Sequence, residues 1–222
     1  MIACVKTTLT CQEVRLEAKI VYFEESGMAN TETTLSLAME RAKERGIKKI
    51  VLASTRGDTA KLLAQRLAGT GVKMVVVPHQ YGFGPAGQRF PQSLVAELAS
   101  QGHTVYFGTM LFHTDGFFAT NEPRLMANLL RTFCQGMKVC VEILLMAANG
   151  GLVAPGEQVV VVTGTGRGAD TAVVAIAATT TNLSDFHVTE IICKPLQTRQ
   201  GPPPGAPGGP GTPTAAAPGP RA

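Results

Sequence analysis

The sequence predicts an α/β protein, a three-layer α/β/α sandwich on a mainly parallel sheet. Three observations point there. Short apolar runs suited to buried strands alternate with segments of helical period. Small-residue, glycine-rich loops follow those runs, where open α/β sheets place their ligand sites. The closing third is rich in strands with short connections, which implies at least one antiparallel pairing.

The elements follow in chain order. "KIVYF" (19–23) is an apolar run suited to a strand. From Thr31 to Arg45 the period becomes helical, with Leu35, Ala38, Met39 and Ala42 on one face, Asn30 as N-cap and Gly46 as stop. "KKIVLAS" (48–54) returns to strand, and Ala60, Leu63, Ala64 and Leu67 mark the next helix. "VKMVVVP" (72–78) is apolar at its centre, as parallel strands buried on both faces are. A helix with Pro91 in its first turn and Gly102 at its end follows, then "HTVYFG" (103–108) as a fourth strand. Residues 122–135 read as a helix. "MKVCVEILLMAAN" (137–149) alternates like a strand, but its length and its Ala/Leu/Met ending favour a buried helix, with Lys138 and Glu142 on one face. "EQVVVVTG", "TAVVAIAA" and "HVTEIICKP" close the fold as strands.

The chain has 222 residues and a formal net charge of +4. Residues 199–222, "RQGPPPGAPGGPGTPTAAAPGPRA", offer no large apolar side chain to offset the ~1–2 kcal/mol per residue of backbone ordering. They read as a disordered tail with polyproline character. The rest holds enough Val, Ile, Leu and Ala for one buried core. Lys and Arg are scattered and aromatic residues few, which disfavours nucleic-acid binding. Five cysteines without a C-x-x-C pair suggest reduced thiols in a cytoplasmic protein, Cys193 being a core residue. The start lacks a signal-peptide pattern, and no apolar run approaches the ~20 residues of a membrane span. Self-association is left open.

Four loops fall at strand ends: 24–32, 54–60, 79–90 and 164–172. In "STRGDTA" (54–60), Gly57 lets the backbone approach a ligand and the helix start presents free N–H groups to an anion. Ser54, Thr55 and Thr59 add hydroxyls, and Arg56 adds a positive charge. Asp58 argues the other way, because as an N-cap its carboxylate would take those N–H groups. A phosphate cradle and a plain capped turn both fit. "RGADTA" (167–172) echoes this loop, and Gly166, Arg167 and Gly168 form a candidate nest of N–H groups. A dinucleotide fingerprint is rejected there, since a β-branched strand follows instead of a helix. His79, Tyr81 and Phe83 beside Gly82 could line a flat ring or simply pack on the core. Glu24 and Glu25 read as an acid/base pair or a solvated turn. His113 and His187 show no metal spacing, and no metal is expected.

The phrases "YFEESGMANTETTLSLAMERAKERGIKKIVLASTRGDTA", "GMKVCVEILLMAANGG" and "RGADTAVV…EIICKP" resemble small stand-alone prokaryotic proteins related to the pyruvate kinase C-terminal (alpha/beta) domain. The resemblance runs from about Lys19 to Pro195. It implies a five-stranded mixed sheet with one antiparallel strand, helix at 137–149, residues 1–18 as an N-terminal extension and 19–198 as the domain. It also implies bound flavin mononucleotide (FMN). By position, Ser54, Thr55, Gly57, Asp58 and Thr59 would cradle the phosphate. His79, Tyr81 and Gly82 would border the ring, which would lie against the loop that holds Glu24 and Asn30. The stretch 107–121 departs from the pattern. Nothing resembles the kinase catalytic domains, so pyruvate kinase activity is not expected. The reading is a binding domain for a phosphorylated cofactor. Its alternatives are a non-catalytic sensor of a sugar phosphate or nucleotide, and a flavin-dependent oxidoreductase with Glu24, His79 or Glu142 as proton donor.

Overall fold

The computed structural model describes residues 17–85 and 87–197. The tail from residue 199 and the first sixteen residues of the expected N-terminal extension lie outside them. Seven strands form one sheet: β1 (Val21–Phe23), β2 (Lys49–Ala53), β3 (Lys73–Val77), β4 (Thr104–Val105), β5 (Gln158–Thr163), β6 (Thr171–Ile176) and β7 (His187–Pro195). Their order is β1-β7-β6-β5-β2-β3-β4. All pairings are parallel except β5/β6 and β6/β7, so β6 alone runs against the rest. The single antiparallel strand agrees with the expectation. The strand number does not: the described residues form seven instead of five. Among the described residues the short edges are β1, paired to β7 over three residues, and β4, paired to β3 over two. Of the stretch read as a fourth strand, 103–108, only Thr104 and Val105 pair.

The layers follow from side-chain alternation along each strand. Ile50, Leu52, Met74, Val76, Val160, Val162 and Val174 face one side. There they meet α1 (Thr31–Glu44), α2 (Asp58–Leu67) and α3 (Gln92–Ser100) through Leu35, Ala38, Leu63, Leu94 and Leu98. Val51, Val75, Val77, Val159, Val161 and Val173 face the other side, onto α6 (Gln135–Asn149) through Cys140, Ile143, Leu144 and Ala147. The ambiguous segment 137–149 is therefore helix, buried along most of its length. The helix read over 122–135 is interrupted. After α4 (Asp115–Phe118), α5 spans Glu122–Arg131, and α6 starts anew at Gln135 with the Cys134 thiol capping Met137 N at 3.2 Å. Cys193 lies in the core, as expected, and burial pushes its thiol up to about 11.

Asn30 does precede α1, but its side chain makes no cap bond; its amide donates to Glu25 O at 2.7 Å instead. Among the described residues no helix is long and apolar enough to cross a membrane.

Candidate functional site

The carboxyl ends of the parallel strands share one edge of the sheet, and the loops after β1, β2, β3 and β5 gather there. Buried Asp170 ties two of them together. Its Oδ2 accepts from Gly27 N at 2.8 Å and Thr165 N at 3.0 Å, and its Oδ1 accepts from Thr171 Oγ1 at 2.8 Å. Thr31 adds a second tie: its Oγ1 accepts from Ala169 N at 3.0 Å and donates to Met28 O. Neither residue stands out as a site residue in the sequence. The one available signal is that Asp170 holds in "RGADTA" the place that Asp58 holds in "RGDTA".

Two adjoining cavities open at this edge, of about 270 and 310 Å³. Ala53, Thr55 and Gly168 belong to the walls of both. The first contains Ser54, Thr55, Arg56, Asp58 and Thr59, with Arg167 and Met28 across from them. Helix α2 starts at Asp58, and Gly57, at φ +91°, holds the N-cap position with no side-chain cap bond. Asp58 is thus not the cap that the sequence suggested. Its carboxylate points outward, 3.8 Å from the Arg167 guanidinium, a contact worth little at such exposure. Among the described residues the first-turn N–H groups of α2 have no side-chain acceptor, which removes the objection to an anion. Gly57 serves packing as well as approach, since a Cβ there would stand 2.3 Å from Leu94 Cδ2. The cavity also carries Glu32, which is paired with Arg66.

The second cavity lies between the sheet edge and the first half of α6. His79 and Phe83 from the loop after β3, His113 from a short 3₁₀ turn, Arg131 from α5, and Lys138 and Glu142 from α6 contribute to its wall. The rings of His79 and Phe83 meet edge to face at 4.6 Å, and those of Phe83 and His113 at 5.1 Å. His79 Nδ1 lies 3.3 Å from Arg89 Nη2, and its Nε2 lies 3.5 Å from Thr55 Oγ1. Arginine only donates, so Nδ1 is the acceptor and the proton sits on Nε2. Burial, reinforced by the Arg89 charge, pulls the His79 pKa down to about 4. Burial, then the Lys138 charge, also lowers His113.

Of the residues singled out from sequence, Ser54, Thr55, Arg56, Asp58, Thr59, Arg167 and Gly168 come together around the first cavity, with Gly57 directly behind. His79, Gly166 and Gly168 reach the second. Tyr81, Gly82, Glu24 and Asn30 are in neither wall. Tyr81 is exposed and packs its ring 5.1 Å from Phe107. Phe83, weighed beside Tyr81, is the aromatic residue that faces the cavity. His113, Arg131 and Lys138 were not foreseen as site residues. They lie at least 53 residues beyond the loop 54–60, and only the pairing of Lys138 with Glu142 was visible in the sequence. Among the described residues no His/Cys/Asp/Glu group could hold a metal ion.

Fold and site together define an α/β sandwich whose loops enclose a divided cavity at the carboxyl edge of a mixed sheet, the usual ligand position in such folds. Residues 32–176 match the family described as pyruvate kinase, alpha/beta domain. The match covers more than half of the chain, and the chain belongs to that family. Among solved structures it is similar to Cryptosporidium parvum pyruvate kinase in complex with ADP, with 16% identity and a TM-score of 0.37. That likeness covers 69% of this chain and 24% of the enzyme, so the chain spans about a quarter of the enzyme's length.

Proposed function

We propose that this domain binds a phosphorylated cofactor, FMN, with the phosphate in the first cavity and the ring in the second. The observation that carries the reading is the bare N-terminus of α2. It opens on a cavity flanked by Arg56 and Arg167 and joined through Thr55 and Gly168 to a larger, aromatic-lined one. Unpaired first-turn N–H groups and the helix dipole favour a phosphate, and the arginines add charge-assisted hydrogen bonds. His79 and Phe83 offer ring faces and edges to a flat heterocycle. The second cavity, about 310 Å³, lies within the ~300–1,000 Å³ of small-molecule sites, and the first, about 270 Å³, adjoins it.

Titration of the full chain with FMN tests this. Quenching of flavin fluorescence together with a rise in melting temperature is the expected result. Absence of both overturns the flavin reading.

A second reading, a non-catalytic sensor of a sugar phosphate, is favoured by the mixed charge of the first cavity. Glu32 and Asp58 would accept hydrogen bonds from hydroxyl groups beside the phosphate. For flavin redox chemistry, Glu24 lies outside both cavities and Glu142 already accepts on both oxygens. His79, with its proton on Nε2, is the donor that this alternative leaves.

A further inference from the structure

The phosphate reading leaves the charged end of the second cavity unexplained. Lys138 and Glu142 stand one turn apart on α6, each only 2% exposed, and are bonded to one another. A neutralised ion pair bracing a turn is the plain explanation, and it accounts for the carboxylate. Glu142 Oε1 accepts from Phe112 N at 2.9 Å, and its Oε2 takes Lys138. It does not account for the ammonium. Lys138 has three N–H donors. Glu142 takes one and His113 Nε2, 3.2 Å away, a second. No nitrogen or oxygen acceptor among the described residues takes the third; the Phe112 ring centre lies 5.4 Å from Nζ, a weaker contact than a hydrogen bond to oxygen, and Lys138 lines the cavity.

The rest of that wall has the same bias. Arg131 donates from Nε to Gln135 and from Nη1 to Asn128, both at 2.8 Å, and its Nη2 has no acceptor among the described residues. Glu142 is the only carboxylate in the described wall, and both its oxygens are engaged. Donors and positive charge therefore converge on a space otherwise bounded by Phe83, Met110 and Met146. Buried donors without partners are costly, and an electron-rich oxygen satisfies them.

We propose that Lys138 donates its third hydrogen bond to a carbonyl or carboxylate oxygen at the far end of the phosphorylated ligand, so that the site selects phosphorylated carbonyl compounds. The inference rests on the phosphate cradle proposed above, but not on the ligand being a flavin. A flavin ring presents carbonyl oxygens on its pyrimidine edge, and a phosphorylated sugar acid presents a carboxylate. Glu142 holds the ammonium in place and His113 fixes its direction.

Calorimetric titration of the full chain separates the sources. The probes are FMN, 6-phosphogluconate, sorbitol 6-phosphate and inorganic phosphate. Sorbitol 6-phosphate matches 6-phosphogluconate except that an alcohol replaces the carboxylate. Lys138→Met alone would strand a buried carboxylate, so the test uses Lys138→Met with Glu142→Gln, checked by thermal melting. Glu142→Gln alone keeps the ammonium.

The expected result is tighter binding of FMN or 6-phosphogluconate than of the alcohol or phosphate. That preference falls at least tenfold in the double variant and persists in Glu142→Gln, while phosphate affinity stays unchanged. Binding of 6-phosphogluconate with this Lys138 dependence, and none of FMN, sinks the flavin reading and upholds the inference. Undiminished affinity for the carbonyl ligands in the double variant overturns it. So does a double variant that loses inorganic phosphate equally, since Lys138 would then be holding the site's shape. Lack of any preference over phosphate and the alcohol overturns it too, and leaves the cradle standing.

Discussion

Gly57 and Asp58 sit side by side, yet their substitution should have opposite outcomes. Gly57 has φ +91°, and a side chain there would meet Leu94. Gly57→Val combines the ~1–2 kcal/mol of a left-handed residue with that overlap. Urea denaturation should show a loss of roughly 2–4 kcal/mol, and calorimetry should show loss of phosphate binding. Asp58 makes no cap bond and is largely exposed. Asp58→Ala should change stability by no more than about 0.5 kcal/mol. It also removes a negative charge from the mouth of the cradle, so phosphate affinity should rise, about twofold to fivefold for ~0.5–1 kcal/mol of repulsion relieved. A drop in affinity would mean that the carboxylate serves the ligand. His79 carries a pH prediction. Its pKa falls from the usual value of 6.5 to about 4 on folding. Between those values the unfolded chain binds a proton that the folded chain refuses, so its contribution, complete above pH 6.5, is lost as pH falls towards 4. The lowered His103 and His113 act in the same direction. Melting at pH 5 should lie at least ~2–4 °C below melting at pH 7.5, equivalent to about 1 kcal/mol in a chain of this size. His79→Gln should narrow the gap.

At the scale of elements, the site depends on how two loops are tied. Asp170 gathers Gly27, Thr165 and Thr171 on one carboxylate. An amide in its place keeps one acceptor and turns a donor towards donors. Asp170→Asn should cost about 1–3 kcal/mol by denaturation, and amide exchange at Gly27 and Thr165 should accelerate. Unchanged exchange at both would show that the loops are held by other contacts. This tie also marks the limit of what sequence discloses. β2, β3 and β5 are legible because strands buried on both faces write continuous apolar runs. α6 is legible by length despite its alternation. β1 and β4 are weakly written because edge strands of three and two residues need little pattern. The local chemistry of residues 54–59 could be read because hydroxyls, glycine and helix start are neighbours in the chain. Lys138 and His113 reach the same edge from distant segments, and nothing in their own neighbourhoods announces it; Asp170 is marked only by the echo of "RGDTA" in "RGADTA". Asp58 was misjudged as the cap because the chain enters the helix one residue earlier, through a left-handed glycine.

For the molecule as a whole, the layers hold the loops but do not close over them. The large buried side chains lie in the two sheet–helix interfaces. The loops at the carboxyl edge rest instead on a few hydrogen bonds and on glycines at positive φ such as Gly57, Gly166 and Gly168. Segments outside the packed layers are where local opening begins. A ligand that binds only the folded chain stabilises it by RT ln(1 + [L]/Kd), about 2.7 kcal/mol at a hundredfold excess over Kd. FMN at that excess should therefore raise the melting temperature by about 5–10 °C, and dialysis should return it to the starting value. The gain in exchange protection should concentrate at residues 24–27, 54–59, 79–83 and 164–170, with α3 and the far ends of the strands unchanged. A thermal shift without that localisation would place the ligand elsewhere on the molecule. Protection confined to 54–59 and 164–170 would mean that only the phosphate is held, the outcome that a sugar-phosphate sensor with an empty second cavity requires.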